Sequence, residues 1–255
     1  MINNIAEAVR SFVAITVATV TGALAWLGGR RARGEVWKQM YQVGNRSLLF
    51  VCVTLGFIGM VLVFQTCLQV NRITGDLSQV GAEFIKILVH EFGPSLTAMM
   101  LATRVGAGIA AEVGSMVVTE QIDALRMNGV QPIDYLIVPR FIASVVMTGV
   151  LAAVGVAVAL GMGALTAYYS FHLNPVVFLD PSHVRVADLV TGTVKCAFYG
   201  GAIPIVSGWC GFAARGGSEG VGTATTRAVI ASSFVVILLD FIISGVALLT
   251  WQGGP

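Results

Sequence analysis

Five apolar stretches, each long enough to cross a lipid bilayer, constrain this chain more than any other feature. They cover about residues 47–70, 81–111, 139–169, 186–212 and 228–251. A helix rises 1.5 Å per residue, so a hydrocarbon core of ~30 Å needs about 20 apolar residues. Runs of this length read as transmembrane helices. The charge content agrees: 11% of the 255 residues are charged and 56% are hydrophobic, against about 25% charged in a soluble domain. Mean hydropathy is +0.85. Little mass remains outside the membrane, and a separate soluble domain of about 100 residues does not fit. The expectation is an all-α integral membrane protein, a single domain over residues 1–255.

The segments between the stretches set the topology. Arg30, Arg31, Arg33, Lys38 and Arg46 stand against the single acid Glu35. Such a cluster marks the cytoplasmic side. Arg126, Arg140, Arg215 and Arg227 fall on the same side if the spans alternate, whereas the opposite loops hold Arg72 and Arg185. Five crossings then put the N-terminus inside and the C-terminus outside. The run Phe12–Gly29 is about 18 residues, at the lower limit for crossing, and Thr16, Thr19 and Thr21 weaken it. It either spans or lies in the interface. It lacks a signal-peptide layout, because Glu7 precedes Arg10 and no A-x-A site follows. No internal repeat is evident, which counts against an inverted-repeat secondary transporter.

Glu112–Asn128 is a short, mostly polar, helix-compatible stretch between two spans. Val113, Met116, Val117 and Leu125 recur at roughly helical spacing, while Glu120, Gln121 and Asp123 are polar. An amphipathic helix over 112–128 can lie on the membrane surface and show its polar side to a soluble partner, or remain a solvated loop helix with none. Within the spans, Glu91, Arg104, Lys195 and Asp240 are ionisable, and Lys86 lies near the outer end where it can snorkel. An unpaired charge at that depth costs at least ~2.5–3.5 kcal/mol, so each needs a partner or a wet cavity. They either line a substrate path or fix the bundle through ion pairs. Glu91 precedes Gly93-Pro94, and a proline frees a carbonyl about one turn earlier, which suits the edge of a cavity. Pro94 should kink the second span. Leu96, Met99 and Met100 follow as an apolar wall, with methionine suited to varied acyl shapes.

Several chemistries are excluded. No G-x-x-x-x-G-K-[ST] occurs, and the run Gly216-Gly217-Ser218-Glu219-Gly220 lacks the lysine of a nucleotide loop. There is no H-E-x-x-H or G-x-S-x-G, and His90, His172 and His183 are scattered. Cys52, Cys67, Cys196 and Cys210 sit in apolar stretches without a C-x-x-C pair and read as small buried side chains. The chain is not expected to be an enzyme, to hold a metal or cofactor, or, at a net charge of +2, to bind nucleic acid. Gly106, Gly108, Gly155, Gly161, Gly163, Gly200 and Gly201 suit close helix packing.

Several blocks, in the expected order along the chain, carry a resemblance. The stretch Glu112-Val113-Gly114-Ser115-Met116, running on through Thr119-Glu120-Gln121-Ile122-Asp123-Ala124-Leu125, resembles the cytoplasmic coupling segment of the MlaE/YrbE permeases. His90-Glu91-Phe92-Gly93-Pro94 is similar to their E-x-G-P element, and Arg104-Val105-Gly106 to their R-x-G. Lys195-Cys196-Ala197-Phe198-Tyr199-Gly200 is similar to K-S-x-x-F-G, departing at Cys196 and at the later glycine. Cys210-Gly211 with Gly216 to Val229 resembles the C-G…G-V-G-x-A-T-T block. The resemblance covers about residues 45–250 and implies the permease subunit of an ABC transporter that moves phospholipid, or sterol in some members. It implies an interfacial helix over 1–29 and a homodimer. It further implies a separate ATPase subunit that carries ATP and Mg, an MCE-domain protein on the far side, and in some members a STAS-domain protein. Bacterial inner membrane is the implied location. The candidate residues are then Glu91, Pro94, Leu96, Met99, Met100 and Arg104 for lipid, and Glu112, Met116, Glu120, Gln121 and Asp123 for ATPase coupling. Lys195 and Asp240 stand as intramembrane polar residues. The readings from other classes are an ion-coupled secondary transporter relaying through Glu91, Arg104 and Asp240, and a membrane scaffold.

Overall fold

The computed structural model of the chain describes residues 2–27, 33–73, 77, 79–180 and 184–251. Arg30, Arg31, Asp76, Pro181 and His183 lie outside the described residues, as do the ends of the 1–29 segment. The fold is all-α, with no strand among the described residues. The helices are α1 (Ile2–Leu27), α2 (Arg33–Ile73), α3 (Val80–Ile87), α4 (Gly93–Leu101), α5 (Ala107–Val118), α6 (Gln121–Met127), α7 (Val138–Phe171), α8 (Pro175–Phe178), α9 (Val186–Phe212) and α10 (Gly217–Trp251). Three π turns, Leu88–Phe92, Ala102–Gly106 and Ile133–Ile137, join α3 to α4, α4 to α5, and lead into α7. Six stretches of the described chain are long and apolar enough to cross a membrane: Ala6–Trp26, Gly34–Ile73, Val80–Val118, Ile133–Phe171, Val186–Phe212 and Gly217–Thr250.

Several helices run past the apolar stretches that announce them. α2 has 41 residues, or ~60 Å, about twice the hydrocarbon core. Its first turns carry the basic residues up to Arg46, so the expected cytoplasmic segment is helix. At the other end of the chain, the expected loop 213–227 contracts to a turn through Gly216 and Gly217, at φ +86° and +78°. The small-residue block that follows enters α10 because its hydroxyls bond backward: Thr223 to Gly220 O, Thr225 to Val221 O and Thr226 to Gly222 O. The expected break at Pro94 is a π turn. Gly93 donates to the carbonyl of Leu88 rather than Val89, and the widened turn makes room for a ring that a regular α turn would not accommodate.

Contacts between helices depend on small residues, since lipid tails leave little hydrophobic drive for association. α2 lies along α7, and α9 sits between α7 and α10. Of the seven glycines expected at contacts, Gly106, Gly155, Gly163, Gly200 and Gly201 abut neighbours, while Gly108 and Gly161 face open space. One core joins Val51, Leu55, Val63 and Cys67 of α2 to Leu88, Met100 and Ala159. Another gathers Leu101, Leu151, Tyr199, Ile203 and Val236. The four cysteines are free thiols. α1 buries Ile15, Thr19 and Ala23 and exposes Val9, Val13, Val17, Val20 and Leu24. Thr16 and Thr21 bond back to Phe12 O and Val17 O at 2.9 and 2.8 Å. From Ser11 to Trp26 no ionisable group lies on any face of this helix.

Candidate functional site

Three spans each bring a polar pair, four residues apart, to one point. The second span gives Glu91 and Ser95, α9 gives Lys195 and Tyr199, and α10 gives Asp240 and Ser244. Residues at i and i+4 share a helix face, so six side chains from three helices converge. Lys195 Nζ contacts Glu91 Oε2 and lies 3.0 Å from Asp240 Oδ1. Tyr199 OH donates to Asp240, and Ser95 Oγ donates to the same oxygen at 3.0 Å. Ser244 Oγ donates to Glu91 Oε1 at 3.0 Å, and His90 Nδ1 lies 3.0 Å from Glu91 Oε2. Glu91 thus finds its basic partner across the helices, on α9.

The contact that makes it possible is Gly192. A Cβ there would stand 2.5 Å from the carbonyl of Val89, inside the first π turn. Only glycine lets α9 approach that backbone so closely. Lys195 is one turn further along and therefore reaches Glu91.

The cluster has a dry side and a wet side. Lys195 and Tyr199 are fully buried, whereas the side chains of Glu91 and Asp240 are 36% and 26% exposed. With His90 neutral, one ammonium faces two carboxylates. A cavity of about 400 Å³ lies alongside, lined by His90 and Ser244 together with Lys86, Arg185, Asp188 and Thr191. The arrangement ties three spans together, and His90 and Ser244, which both contact Glu91, connect it to a cavity whose charged lining is Lys86, Arg185 and Asp188. Among the described residues no group of His, Cys, Asp or Glu is placed to hold a metal ion.

The remaining candidates separate. Leu96 and Met100 turn away from Glu91 and pack toward the α2 and α7 core, Met99 packs against the Tyr199 core, and Pro94 is buried. Arg104 sits 13 residues beyond Glu91, ~20 Å along the helix, and donates to Ser47 of α2. It does not belong to the charge cluster, which removes it from the proposed relay with Glu91 and Asp240. The stretch 112–128 is not one surface helix. Glu112 and Met116 lie in α5, continuous with the second span, and Met116 packs inward on Ile109, Val113, Ile122 and Ile137. The chain then turns at Glu120, whose φ of +57° is left-handed, and restarts as α6. Glu120, Gln121 and Asp123 are exposed, with Asp123 3.0 Å from Arg126. Glu112 pairs with Arg140 at 2.6 Å. Sequence reasoning missed Ser95, Tyr199 and Ser244, and the signal that finds them is the recurrence of a hydroxyl four residues after each ionisable group.

Six helices long enough to cross a bilayer, three of them tied by an internal ion cluster, define a polytopic membrane protein. The family model for the permease MlaE matches residues 36–246, and the chain belongs to that family. It is 35% identical over 220 residues to a probable ABC transporter permease protein of Synechocystis, covering 86% of this chain and 83% of that one. A probable ABC transporter permease protein of Rickettsia typhi is 34% identical over 211 residues, covering 82% and 81%. The chloroplastic protein TRIGALACTOSYLDIACYLGLYCEROL 1 of Arabidopsis thaliana is also 34% identical over 211 residues, covering 81% of this chain and 59% of that protein.

Proposed function

We propose that this chain is the membrane subunit of an ABC transporter that moves phospholipid, with ATP hydrolysed on a partner subunit. The observation that carries this reading is the Glu91–Lys195–Asp240 cluster beside a cavity of about 400 Å³ in a member of the MlaE permease family. A zwitterionic or polar headgroup meets Lys86, Arg185 and Asp188 there, next to His90 and Ser244 of the cluster's edge, while acyl tails meet apolar helix faces. The exposed turn at Glu120 and α6 fits a docking point for the ATPase. α10 exposes Phe234, Ile237 and Phe241, a face available to lipid or to a second copy. The same reading puts the protein in a bacterial inner membrane with its basic end cytoplasmic and its C-terminus periplasmic. Its assembly is a homodimer with two ATPase subunits and an MCE-domain protein, joined in some members by a STAS-domain protein.

Co-purification with the ATPase, followed by mass spectrometry of bound lipid, tests it. Photo-crosslinkers at positions 91 and 244 should capture phospholipid in an ATP-hydrolysing complex, and crosslinkers at the core-facing positions 96 and 100 should not. Uptake driven by a pH gradient without ATP would instead favour the ion-coupled transporter.

A further inference from the structure

A separate, basic site lies at the other end of the second span. Arg46 and the amides Gln39 and Gln42 of α2 face Arg104, Glu112 and Arg140 across a cleft of about 150 Å³. Three guanidiniums meet one carboxylate. Arg140 is almost wholly buried, with 5% of its side chain exposed. One of its terminal nitrogens holds Glu112, and the other, Nη1, has no acceptor among the described residues. Nη1 is itself enclosed, so the donors a ligand reaches first in the cleft are those of Arg46 and Arg104, joined by the Arg140 fork when Glu112 moves. Glu112 is 60% exposed, so the carboxylate that half-neutralises Arg140 can swing away.

The depth of the cleft narrows the acceptor. Trp37 and Tyr41, 73% and 65% exposed, lie one to three turns before Arg46 on α2. Exposed aromatics of this kind sit at headgroup level. A planar guanidinium fork matches a phosphate in shape and charge better than it matches a neutral group. We infer that the Arg46–Arg104–Arg140 cleft binds a phosphate group, supplied either by a phospholipid headgroup of the adjoining leaflet or by free phosphate. The site is ~20 Å along the helix from Glu91 and does not depend on the transport reading.

The test uses the purified full-length protein in detergent, with dioctanoyl phosphatidylglycerol, dioctanoylglycerol and inorganic phosphate as probes at matched ionic strength. Affinities are read by thermophoresis. Wild type should bind phosphatidylglycerol and not the phosphate-free diacylglycerol. Arg46→Gln, at an exposed position that need not perturb folding, should weaken binding roughly tenfold, the worth of one charge-assisted hydrogen bond. Glu112→Gln, which removes the internal competitor, should tighten it. A merely structural Glu112–Arg140 pair does not predict that gain. Displacement of the lipid by inorganic phosphate identifies the free anion as the ligand, and failure to displace it identifies the headgroup. Equal binding of diacylglycerol and phosphatidylglycerol, or unchanged affinity in both Arg46→Gln and Glu112→Gln, overturns the assignment.

Discussion

Replacing Lys195 by methionine keeps the length and the apolar stem but removes the ammonium between Glu91 and Asp240. Both carboxylates lie within hydrogen-bond reach of one Nζ, so the cluster charge passes from −1 to −2 with His90 neutral. Two carboxylates at a separation of about 6 Å and an effective dielectric of about 20 repel by roughly 3 kcal/mol. Glu91 is about a third exposed, and water screens part of that repulsion, leaving an expected cost of about 2–3 kcal/mol. At 2–4 °C per kcal/mol for a chain of this size, the unfolding temperature in detergent should fall by roughly 4–12 °C. Asp240→Asn alone should do much less. Lys195 keeps Glu91, and the amide oxygen still accepts from Tyr199. The double variant Lys195→Met with Asp240→Asn returns the charge to −1 and should recover most of the loss, which is the coupling signature of a direct pair. Scanning fluorimetry on the four proteins measures this. If Lys195→Met unfolds within 1 °C or so of wild type, or the double variant is no more stable than the single, the carboxylates are held by water and the ion-cluster reasoning fails.

Other outcomes follow from particular contacts. Glu120→Lys should abolish pull-down of the ATPase while the permease still inserts, and undiminished pull-down removes the coupling role of this turn. Gly192→Ala forces a methyl against the Val89 carbonyl and should cost about 1–3 kcal/mol by overpacking. Gly161→Ala, facing open space, should be neutral or slightly stabilising, so a comparison of folded yields checks both. A cysteine at position 3, in a background without the four native thiols, should label from the cytoplasmic side if α1 lies in the interface, and labelling only from outside would make α1 a sixth span.

The sequence displayed the spans and the four intramembrane charges because both are local properties: run length, and an ionisable residue in apolar surroundings. It did not display which charges pair. Glu91 and Lys195 are 104 residues apart, and no periodicity links two helices. The i,i+4 hydroxyls were legible in principle, but a serine or tyrosine in a span has too many innocent roles to stand out alone. Arg104 looked like a partner for Glu91 because both lie on the second span. The helix instead carries it about three and a half turns away, onto Ser47. Leu96 and Met100 looked like a wall beside Glu91 because they follow it closely, yet the face they share is directed at α2 and α7. Helix boundaries were misjudged at Gly217–Arg227 because glycine and threonine read as loop residues, whereas back-bonding hydroxyls let them continue a helix.

The second span shows why its charges cannot be read as one stripe. Val80–Val118 is 39 residues, ~58 Å of nearly continuous helix. It carries Glu91 in one π turn and Arg104 in the next, and Asp134 lies in the third, ahead of α7. A π turn adds one residue, so everything beyond it rotates by about 100° relative to a regular helix. That offset lets the same element give a carboxylate to α9 and α10 and a guanidinium to α2. It also leaves Leu96 and Met100 for the apolar core between. The Glu120 turn follows directly on the end of this helix, α5. Under the proposed function, a push by the ATPase at that turn acts first on the Arg104–Arg140 cleft and then on the Glu91 cluster. The two π turns are the points where backbone bonds can exchange between i−4 and i−5 partners without the helix coming apart. The charges therefore sit at the places along the span where its register is least fixed.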